Sequence, residues 1–287
     1  MTKKAWNIVN LNLIIIISCF TSTSSYAQFT NELTPAYYAY AQARNSLITQ
    51  NQLLPNLDKT LTVSIHILKD SLGETNLDTI DIFTAFDTLN SKFSPINLRF
   101  KICSIDSIDN FQWDTLLVNN DDGLKEEQQL VTNNHIDSTI NVYFVAAFES
   151  LPQATGFTSY PGGVDNIFIL KDNIDDMTIP HEFGHFFGLI HTFGDGVNIG
   201  YANDSLCDST CDFLCDTEAD PSGDLPGAYS ANAICELSPM LQDGNGEYYM
   251  PPTDNIMSYY GDCRCKFTKE QYRIMAYEYL NNRYYLW

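Results

Sequence analysis

Basic residues are scarce in this chain. Its 287 residues include 15 lysines and arginines against 36 aspartates and glutamates, which gives a formal net charge of −21 and a pI near 4.3. Such a surface repels nucleic-acid phosphates and anionic membranes, so we expect no nucleic-acid partner. Hydrophobic residues still make up 44% of the chain, which is enough for a packed core.

Long hydrophobic runs are also missing. The apolar run Leu11–Phe20, of about ten residues, is too short to span a membrane, so we expect no transmembrane anchor. Lys3 and Lys4 precede this run, and a tract of small residues ending in Ser25-Tyr26-Ala27 follows it. This order is typical of a signal peptide over residues 1–27 and predicts a secreted protein.

The same segment allows an alternative. Ile16-Ile17-Ser18-Cys19 has the form of a lipoprotein box, in which Cys19 would be lipidated and would tether the protein outside the cell. Both alternatives predict export. Residues 28–58 are polar with a patch of alanines and tyrosines, and they form either an N-terminal extension or a short propeptide. No cysteine lies between Cys19 and Cys103, which excludes latency through a thiolate from this segment.

Six cysteines lie in the last third of the chain. They are Cys207, Cys211, Cys215, Cys235, Cys263 and Cys265. In an exported protein they predict disulfides that stabilise a loop-rich segment, and six cysteines allow 15 pairings. A second metal cluster at the first three is the alternative, which the lack of nearby histidines disfavours. Cys103 lies in an apolar stretch and is predicted to be a buried free thiol.

Hydrophobic periodicity predicts a mixed sheet with helices from Leu61 onward. The predicted strands are 61–68, 96–105, 139–148 in the centre of the sheet, and two short pieces within 156–170. The predicted helices are 78–93, 124–134, one that begins near Thr178 with that residue as its cap, and one from Thr268 to about Tyr284.

The stretch HEFGHFFGLIH at 181–191 carries the chemistry. His181 and His185 are four residues apart, so both imidazoles lie on one helix face, with Glu182 beside them. Gly188 can adopt positive φ and end the helix, which lets His191 approach the same point from another side. Three neutral imidazoles with an open fourth position are typical of a catalytic zinc ion.

This set of residues predicts hydrolysis. Zinc would lower the pKa of a water molecule, and Glu182 would take its proton and pass it to the leaving amine of a peptide. An extended substrate is expected to align as an added strand along Gly156–Pro161.

Four motifs together resemble those of the pappalysin family of metzincin metallopeptidases, in particular its compact bacterial cytophagalysin and ulilysin members. The motifs are HEFGHFFGLIHTF, Cys215-Asp216-Thr217, Asn255-Ile256-Met257-Ser258-Tyr259 and Phe267-Thr268-Lys269-Glu270-Gln271. The resemblance implies an α+β metzincin fold over residues 59–287. An N-terminal subdomain (59–191) would hold a twisted mixed sheet, a backing helix and the active-site helix. A C-terminal subdomain (192–287) would be irregular, disulfide-stapled and closed by a helix.

The resemblance also implies roles for single residues. His181, His185 and His191 would bind zinc, and Glu182 would be the general base. Met257 would lie in a turn beneath the metal and pack under the histidines without binding it. Tyr259 would bind zinc in the resting enzyme or stabilise the oxyanion.

Calcium is a second expected cofactor. The segment after the zinc motif is rich in aspartates, at positions 204, 208, 212, 216, 220 and 224, and carboxylate oxygens suit calcium. The ulilysin-like members that the chain resembles are calcium dependent, with Asp216 and Thr217 as the matching ligands here. A solvated acidic loop is the alternative.

Cleavage preference follows only from the resemblance. Pappalysins of this type often prefer a basic residue after the cut and hold it with an acidic group. Asp262 is the matching candidate, although Arg264 would oppose it. We therefore expect a secreted, monomeric zinc endopeptidase with protein or peptide substrates. The alternatives are a secreted binding protein in which metal and disulfides only add stability, and a zinc hydrolase of other substrates.

Overall fold

A five-stranded mixed sheet forms the centre of the chain, in the strand order β2-β1-β4-β7-β6. The computed structural model describes residues 35–48, 53–118, 121–149, 151–162, 164–194, 200–203, 205–221 and 228–286, and for 121–125 the backbone alone. The predicted signal peptide, Cys19, Asp204 and Asp224 lie outside these residues.

The strands are β1 (Lys59–Leu68), β2 (Leu98–Ile108), β4 (Ile140–Val145), β6 (Gly156–Thr158) and β7 (Asn166–Leu170), while β3 (Thr115–Leu116) and β5 (Ala147–Phe148) form a separate pair. β1 runs parallel to β2 and β4, β4 runs parallel to β7, and β6 is antiparallel to β7 at the sheet edge. Every residue of β4 is buried, as expected for a parallel strand covered on both faces. The predicted central strand 139–148 is thus confirmed in its position but divides into β4 and β5.

The helices are α1 (Pro35–Ile48), α2 (Thr79–Phe93), α3 (Asp121–Asn134), α4 (Thr178–Phe186) and α5 (Lys269–Asn282). α2, α4 and α5 share the larger core with one face of the sheet. A second core on the opposite face contains Leu130 of α3 together with Tyr143 and Phe168. The predicted fold of a mixed sheet with a backing helix and an active-site helix is confirmed.

The prediction that Thr178 caps the active-site helix is wrong. Thr178 is the first residue of α4, and the position before it, Met177, makes no side-chain cap. Oδ1 of Asp176 accepts a hydrogen bond from the Thr178 backbone N–H at 2.6 Å instead. A carboxylate at this end of a helix also interacts favourably with the helix dipole.

The cysteines behave only in part as predicted. Cys207 pairs with Cys215 and Cys235 pairs with Cys263, whereas Cys211 and Cys265 stay unpaired. Cys103 is free, as predicted, but it is exposed and not buried. The reason is a β-bulge: the register of β1 and β2 shifts between Val63 and Ser64, so Cys103 is the extra residue on an edge strand.

The N-terminal segment contributes a helix that packs on the C-terminal one. Arg44 of α1 and Glu278 of α5 form an ion pair at 2.5 Å, and their side chains are 2% and 0% exposed. Asn45 donates to the Asp212 carbonyl at 3.2 Å, and the Tyr38 hydroxyl donates to the Gly194 carbonyl. α1 is therefore anchored to the segment that follows the histidine motif.

Candidate metal centre and active site

Three histidine nitrogens converge at one point. α4 carries His181 and His185 on one face, Gly188 has φ +85°, and the chain then brings His191 back toward them. The Nε2 atoms are 3.1 Å apart for His181 and His185, 2.9 Å for His185 and His191, and 3.3 Å for His181 and His191. Within the described part of the chain this is the one group of three or more His, Cys, Asp or Glu side chains that could hold a metal ion.

Backbone carbonyls orient two of these rings. Nδ1 of His181 lies 2.7 Å from the Ile256 oxygen, and Nδ1 of His185 lies 2.8 Å from the Leu189 oxygen. A carbonyl only accepts, so each Nδ1 carries the proton and each Nε2 keeps its lone pair. Burial lowers the pKa of His181 well below its usual value, which favours the neutral ring. Neutral nitrogens that cannot bond to each other, and that lie about 3 Å apart, fit the ligand set of a tetrahedral zinc ion.

Glu182 lies beside the histidines and beneath the edge strand. Its side chain is 4% exposed, and among the described residues its Oε2 has no hydrogen-bond partner. Burial raises its pKa to about 8, and the positive charge of Arg264 acts in the opposite direction. A Cβ on Gly156 of β6 would come within 2.8 Å of Glu182 Cγ and 3.0 Å of its Oε1. Gly156 therefore allows the edge strand to approach the carboxylate directly.

Met257, which the resemblance places in a turn beneath the metal, packs against the active-site helix. It is fully buried, and a Cβ on Gly184 would come within 2.5 Å of its Sδ. The Met257 N–H donates to Asn255 Oδ1 at 2.8 Å, and the Met257 oxygen accepts from the Thr192 N–H at 3.2 Å. The turn is thus bonded to the residue after His191.

A pair of amides holds this turn to α5. Asn255 Nδ2 donates to Gln271 Oε1 at 3.1 Å, and Gln271 Nε2 donates back to Asn255 Oδ1 at 3.2 Å. Gln271 also completes the capping box of α5 with Thr268. Asn255 and Gln271 belong to two separate motifs of the sequence, and the hydrogen bonds between their amides depend on tertiary contact.

Tyr259 lines the same cleft as the histidines, at 46% exposure. Its ring centroid lies 4.7 Å from that of His191 and 5.9 Å from that of His181. The ring centroid of Tyr229 lies 5.3 Å from that of Tyr259. The structure brings Tyr259 to the metal centre, and its catalytic role stays a prediction.

The expected calcium residues lie away from the histidines. Asp216 is exposed, and its Oδ2 accepts from the Glu270 N–H at 2.9 Å. Thr217 is 3% exposed and Asp212 is 2% exposed, and neither Thr217 Oγ1 nor Asp212 Oδ2 has a partner with full hydrogen-bond geometry among the described residues, although Thr217 and Gln271 lie close enough to Asp212 to lower its pKa. Burial raises the pKa of Asp212 well above its usual value. These two buried oxygens are the observation that bears on calcium.

The structure places the specificity candidate Asp262 and the opposing Arg264 differently with respect to the cleft. Asp262 is exposed on a short 3₁₀ turn, Gly261–Cys263, and is absent from the described lining of the cleft. Arg264 lines the cleft together with the three histidines and Glu182.

Sequence reasoning missed the places of two residues beside the metal centre, and it counted one of them, Asp220, only among the acidic residues that suit calcium. The Tyr160 hydroxyl lies 3.1 Å from Nδ1 of His185, at the end of the edge-strand segment. Asp220 is fully buried and accepts from Thr192 Oγ1 at 2.5 Å and from the Tyr260 hydroxyl at 2.8 Å. Asp220 thereby links the residue after His191 to the residue after Tyr259. Neither residue has a motif that points to its role.

The fold and the site define a class: a metzincin-type zinc metalloendopeptidase, with a three-histidine site, a buried glutamate beside it and a methionine turn packed against the active-site helix. The family profile of Peptidase M43, described as pregnancy-associated plasma protein-A, matches residues 126–279, more than half of the chain. The chain belongs to this pappalysin family. The resemblance seen in the sequence is confirmed, and the alternative of a non-catalytic binding protein has no support.

The solved structure of a promirolysin agrees with this chain at the level of the fold. A mutant of Tannerella forsythia promirolysin superposes with a TM-score of 0.57 at 15% identity, covering 86% of this chain and 89% of that one. Metalloproteinase-II from Bacteroides fragilis matches with a TM-score of 0.32 at 12% identity, covering 53% of this chain and 52% of its own. No curated protein sequence matches the chain. Among the described residues no helix has the length and apolarity that crossing a membrane requires.

Proposed function

We propose that this chain is an exported endopeptidase that hydrolyses proteins or peptides bound in extended form along β6. The observation that carries the proposal is the position of Glu182, which lies between the three converging imidazoles and the edge strand. Hydrolysis needs a base at that place, because the attacking water and the leaving amine both exchange protons there.

The protein groups divide the chemistry between them. When bound by the three histidines, zinc supplies the Lewis acidity that activates water and polarises the peptide carbonyl. Glu182 takes the proton from the attacking water and delivers it to the leaving nitrogen. Its buried position supports this role, because burial raises its basicity. Tyr259 is proposed as a hydrogen-bond donor to the developing oxyanion.

The edge strand supports binding of an extended chain. Within the described residues β6 pairs with β7 alone, so its other edge can bond to a substrate backbone. Gly156 and Thr158 of this strand line the cleft with Glu182. A preference for a basic residue through Asp262 remains a prediction, and the exposed position of Asp262 gives it no added support.

We also propose a structural calcium ion near Asp212 and Thr217, with Asp216 beside them. The support is the buried Asp212 carboxyl, whose pKa burial raises well above its usual value and whose Oδ2 has no partner with full hydrogen-bond geometry among the described residues, so that a bound cation would stabilise its ionised form. Calcium should raise the melting temperature of the native chain, and Asp212→Asn should abolish that shift. An equal shift in both proteins would contradict this site.

Export can be tested in bacteria with the full chain. We expect secreted protein whose N-terminus begins at Gln28. A lipid-modified product that Cys19→Ser converts to a soluble one would favour the lipoprotein alternative.

Peptidase activity is tested with casein and purified protein. The zinc-loaded chain should cleave casein, a chelator should stop cleavage, and added zinc should restore it. Cleavage that is unaffected by complete zinc removal would contradict the proposal.

A further inference from the structure

One cation faces the cleft of this acidic protein. Arg264 is the single lysine or arginine among the described residues that line it. Its Nε donates to the Gly261 carbonyl at 3.0 Å, and no carboxylate of the described residues lies within 4.0 Å of its guanidinium nitrogens. The rest of the guanidinium group is therefore available to a ligand in the cleft.

The backbone on both sides of Arg264 is fixed. Cys263 forms the disulfide to Cys235, and the Arg264 N–H donates to the Gly261 oxygen at 3.3 Å. On the other side, the Cys265 and Lys266 N–H groups both donate to the Asp254 oxygen, at 2.7 and 3.0 Å. A guanidinium held on a rigid turn loses little conformational freedom when it binds an anion.

Glu182 relates Arg264 to one side of the cut, because both side chains line the same cleft. Glu182 gives its proton to the leaving nitrogen, and that nitrogen belongs to the first residue after the scissile bond. Arg264 lines the cleft together with Glu182, and Gly261, whose carbonyl accepts from Arg264 Nε, lines it as well. The side chain of the residue after the cut begins one atom from the leaving nitrogen, and Arg264 is the one lysine or arginine among the described lining residues that it can meet in this cleft.

We propose that Arg264 selects substrates with an acidic side chain, Asp or Glu, immediately after the scissile bond. This inference rests on the proposed function. It predicts the opposite of a preference for basic residues through Asp262, and the cleft geometry favours it because Arg264 lines the cleft while Asp262 lies on the exposed side of the turn.

The electrostatics of Arg264 agree with this assignment. Burial lowers its pKa despite the opposing effects of Asp176, Glu182 and Asp262. The nearby carboxylates therefore do not fully offset the desolvation of the guanidinium. A substrate carboxylate would add a charge-assisted, bidentate bond in the cleft.

Quenched fluorescent peptides that differ only in the residue after the cut test the proposal. The series is Glu, its neutral analogue Gln, and Lys, with the cut position verified by mass spectrometry. We expect kcat/KM for the Glu peptide to exceed that for the Gln peptide by about tenfold or more, with the Lys peptide lowest. In Arg264→Gln the Glu-to-Gln ratio should fall to about one, and in Arg264→Glu the Lys peptide should become the best substrate.

Lys266→Gln is the matched control. Lys266 is a nearby exposed cation paired with Asp254 outside the cleft lining, so this variant should keep the full preference for Glu. Binding of the same peptides to zinc-loaded Glu182→Gln, measured by fluorescence anisotropy, should show the same order without cleavage. This second measurement separates selection from catalysis.

Equal kcat/KM for the Glu and Gln peptides in the natural chain would overturn the proposal, as would a best rate with Lys. A uniform loss on all peptides in Arg264→Gln would also overturn it, since that result assigns Arg264 a general electrostatic role. Failure to cleave any peptide or casein would instead contradict the proposed function itself, and this inference with it.

Discussion

Gly156 of the edge strand lies directly against Glu182, with no room for a side chain between them. A Cβ at this position would meet Glu182 Cγ at 2.8 Å, Glu182 Oε1 at 3.0 Å and the Phe168 carbonyl oxygen at 3.0 Å. Because the backbone oxygen cannot move cheaply, the glutamate must give way. Gly156→Ala should lower kcat by about tenfold or more, because small misplacements of a catalytic group are costly.

Gly244→Ala provides the control for this change. Gly244 is exposed, and a Cβ there would meet no atom within 4 Å, so activity should not change. Peptide hydrolysis at saturating substrate measures both variants. Full activity in Gly156→Ala would show that the carboxylate does not need this contact.

Met257 is predicted to act by packing and not by binding the metal. Its Sδ occupies the space that a side chain at position 184 would need, and Gly184 leaves that space free. Met257→Leu conserves volume, so it should cost less than about 1.5 kcal/mol of unfolding free energy and keep one zinc ion per chain. Urea denaturation and metal analysis measure the two quantities. Loss of zinc from a folded Met257→Leu protein would mean that the sulfur contributes to binding.

Helix α1 is predicted to be part of the stable fold through the ion pair of Arg44 with Glu278. Both side chains are buried, so Arg44→Met leaves an uncompensated charge and should cost about 3–5 kcal/mol. The double variant Arg44→Met with Glu278→Met removes both charges and should recover a large part of that loss. Urea denaturation at constant pH compares the three proteins. A double variant no more stable than Arg44→Met would contradict this account of the pair.

The sequence predicted the residues of the histidine motif better than it predicted the residues packed around them. HEFGHFFGLIH determines the ligand spacing, because four residues make one turn of helix and Gly188 can take positive φ. Met257 and Tyr259 followed from resemblance, and both lie at the metal centre. The limits of the strands and helices were predicted from hydrophobic periodicity to within a few residues. Periodicity is a local signal, so it does not depend on contacts with distant segments.

Other features depend on contacts between distant segments. The bulge that exposes Cys103 arises from register with β1, and no local pattern encodes it. Two disulfides form among six cysteines, and the composition could not select Cys207–Cys215 and Cys235–Cys263 from the possible pairs. Tyr160, Asp220 and the place of Arg264 in the cleft likewise depend on how the irregular subdomain folds back on α4.

Glu127 predicts a pH dependence of stability. It is 1% exposed on α3, and burial raises its pKa from 4.5 to about 8. Below about pH 4.5 both folded and unfolded chains hold this proton. Between pH 4.5 and 8 the unfolded chain has released it while the folded chain keeps it, so the free energy of unfolding falls as pH rises, by up to about 1.4 kcal/mol per pH unit.

Replacing this carboxyl should remove the contribution of Glu127 to that slope, while other buried carboxyls such as Glu182 keep theirs. Glu127→Gln should be more stable than the natural chain at pH 8, with the difference vanishing near pH 4, and its neighbour Glu126→Gln serves as the control. Urea denaturation across this range measures the effect. A Glu127→Gln difference that is constant with pH would contradict a raised pKa in the folded state.

The central claim is that Glu182 moves the proton in a zinc peptidase. The most direct measurement is kcat/KM on one quenched peptide for the natural chain and for Glu182→Gln, at equal and verified zinc content. We predict that both proteins bind one zinc ion and that the variant is slower by a factor of about 10²–10⁴. Equal rates at equal zinc loading would contradict the account.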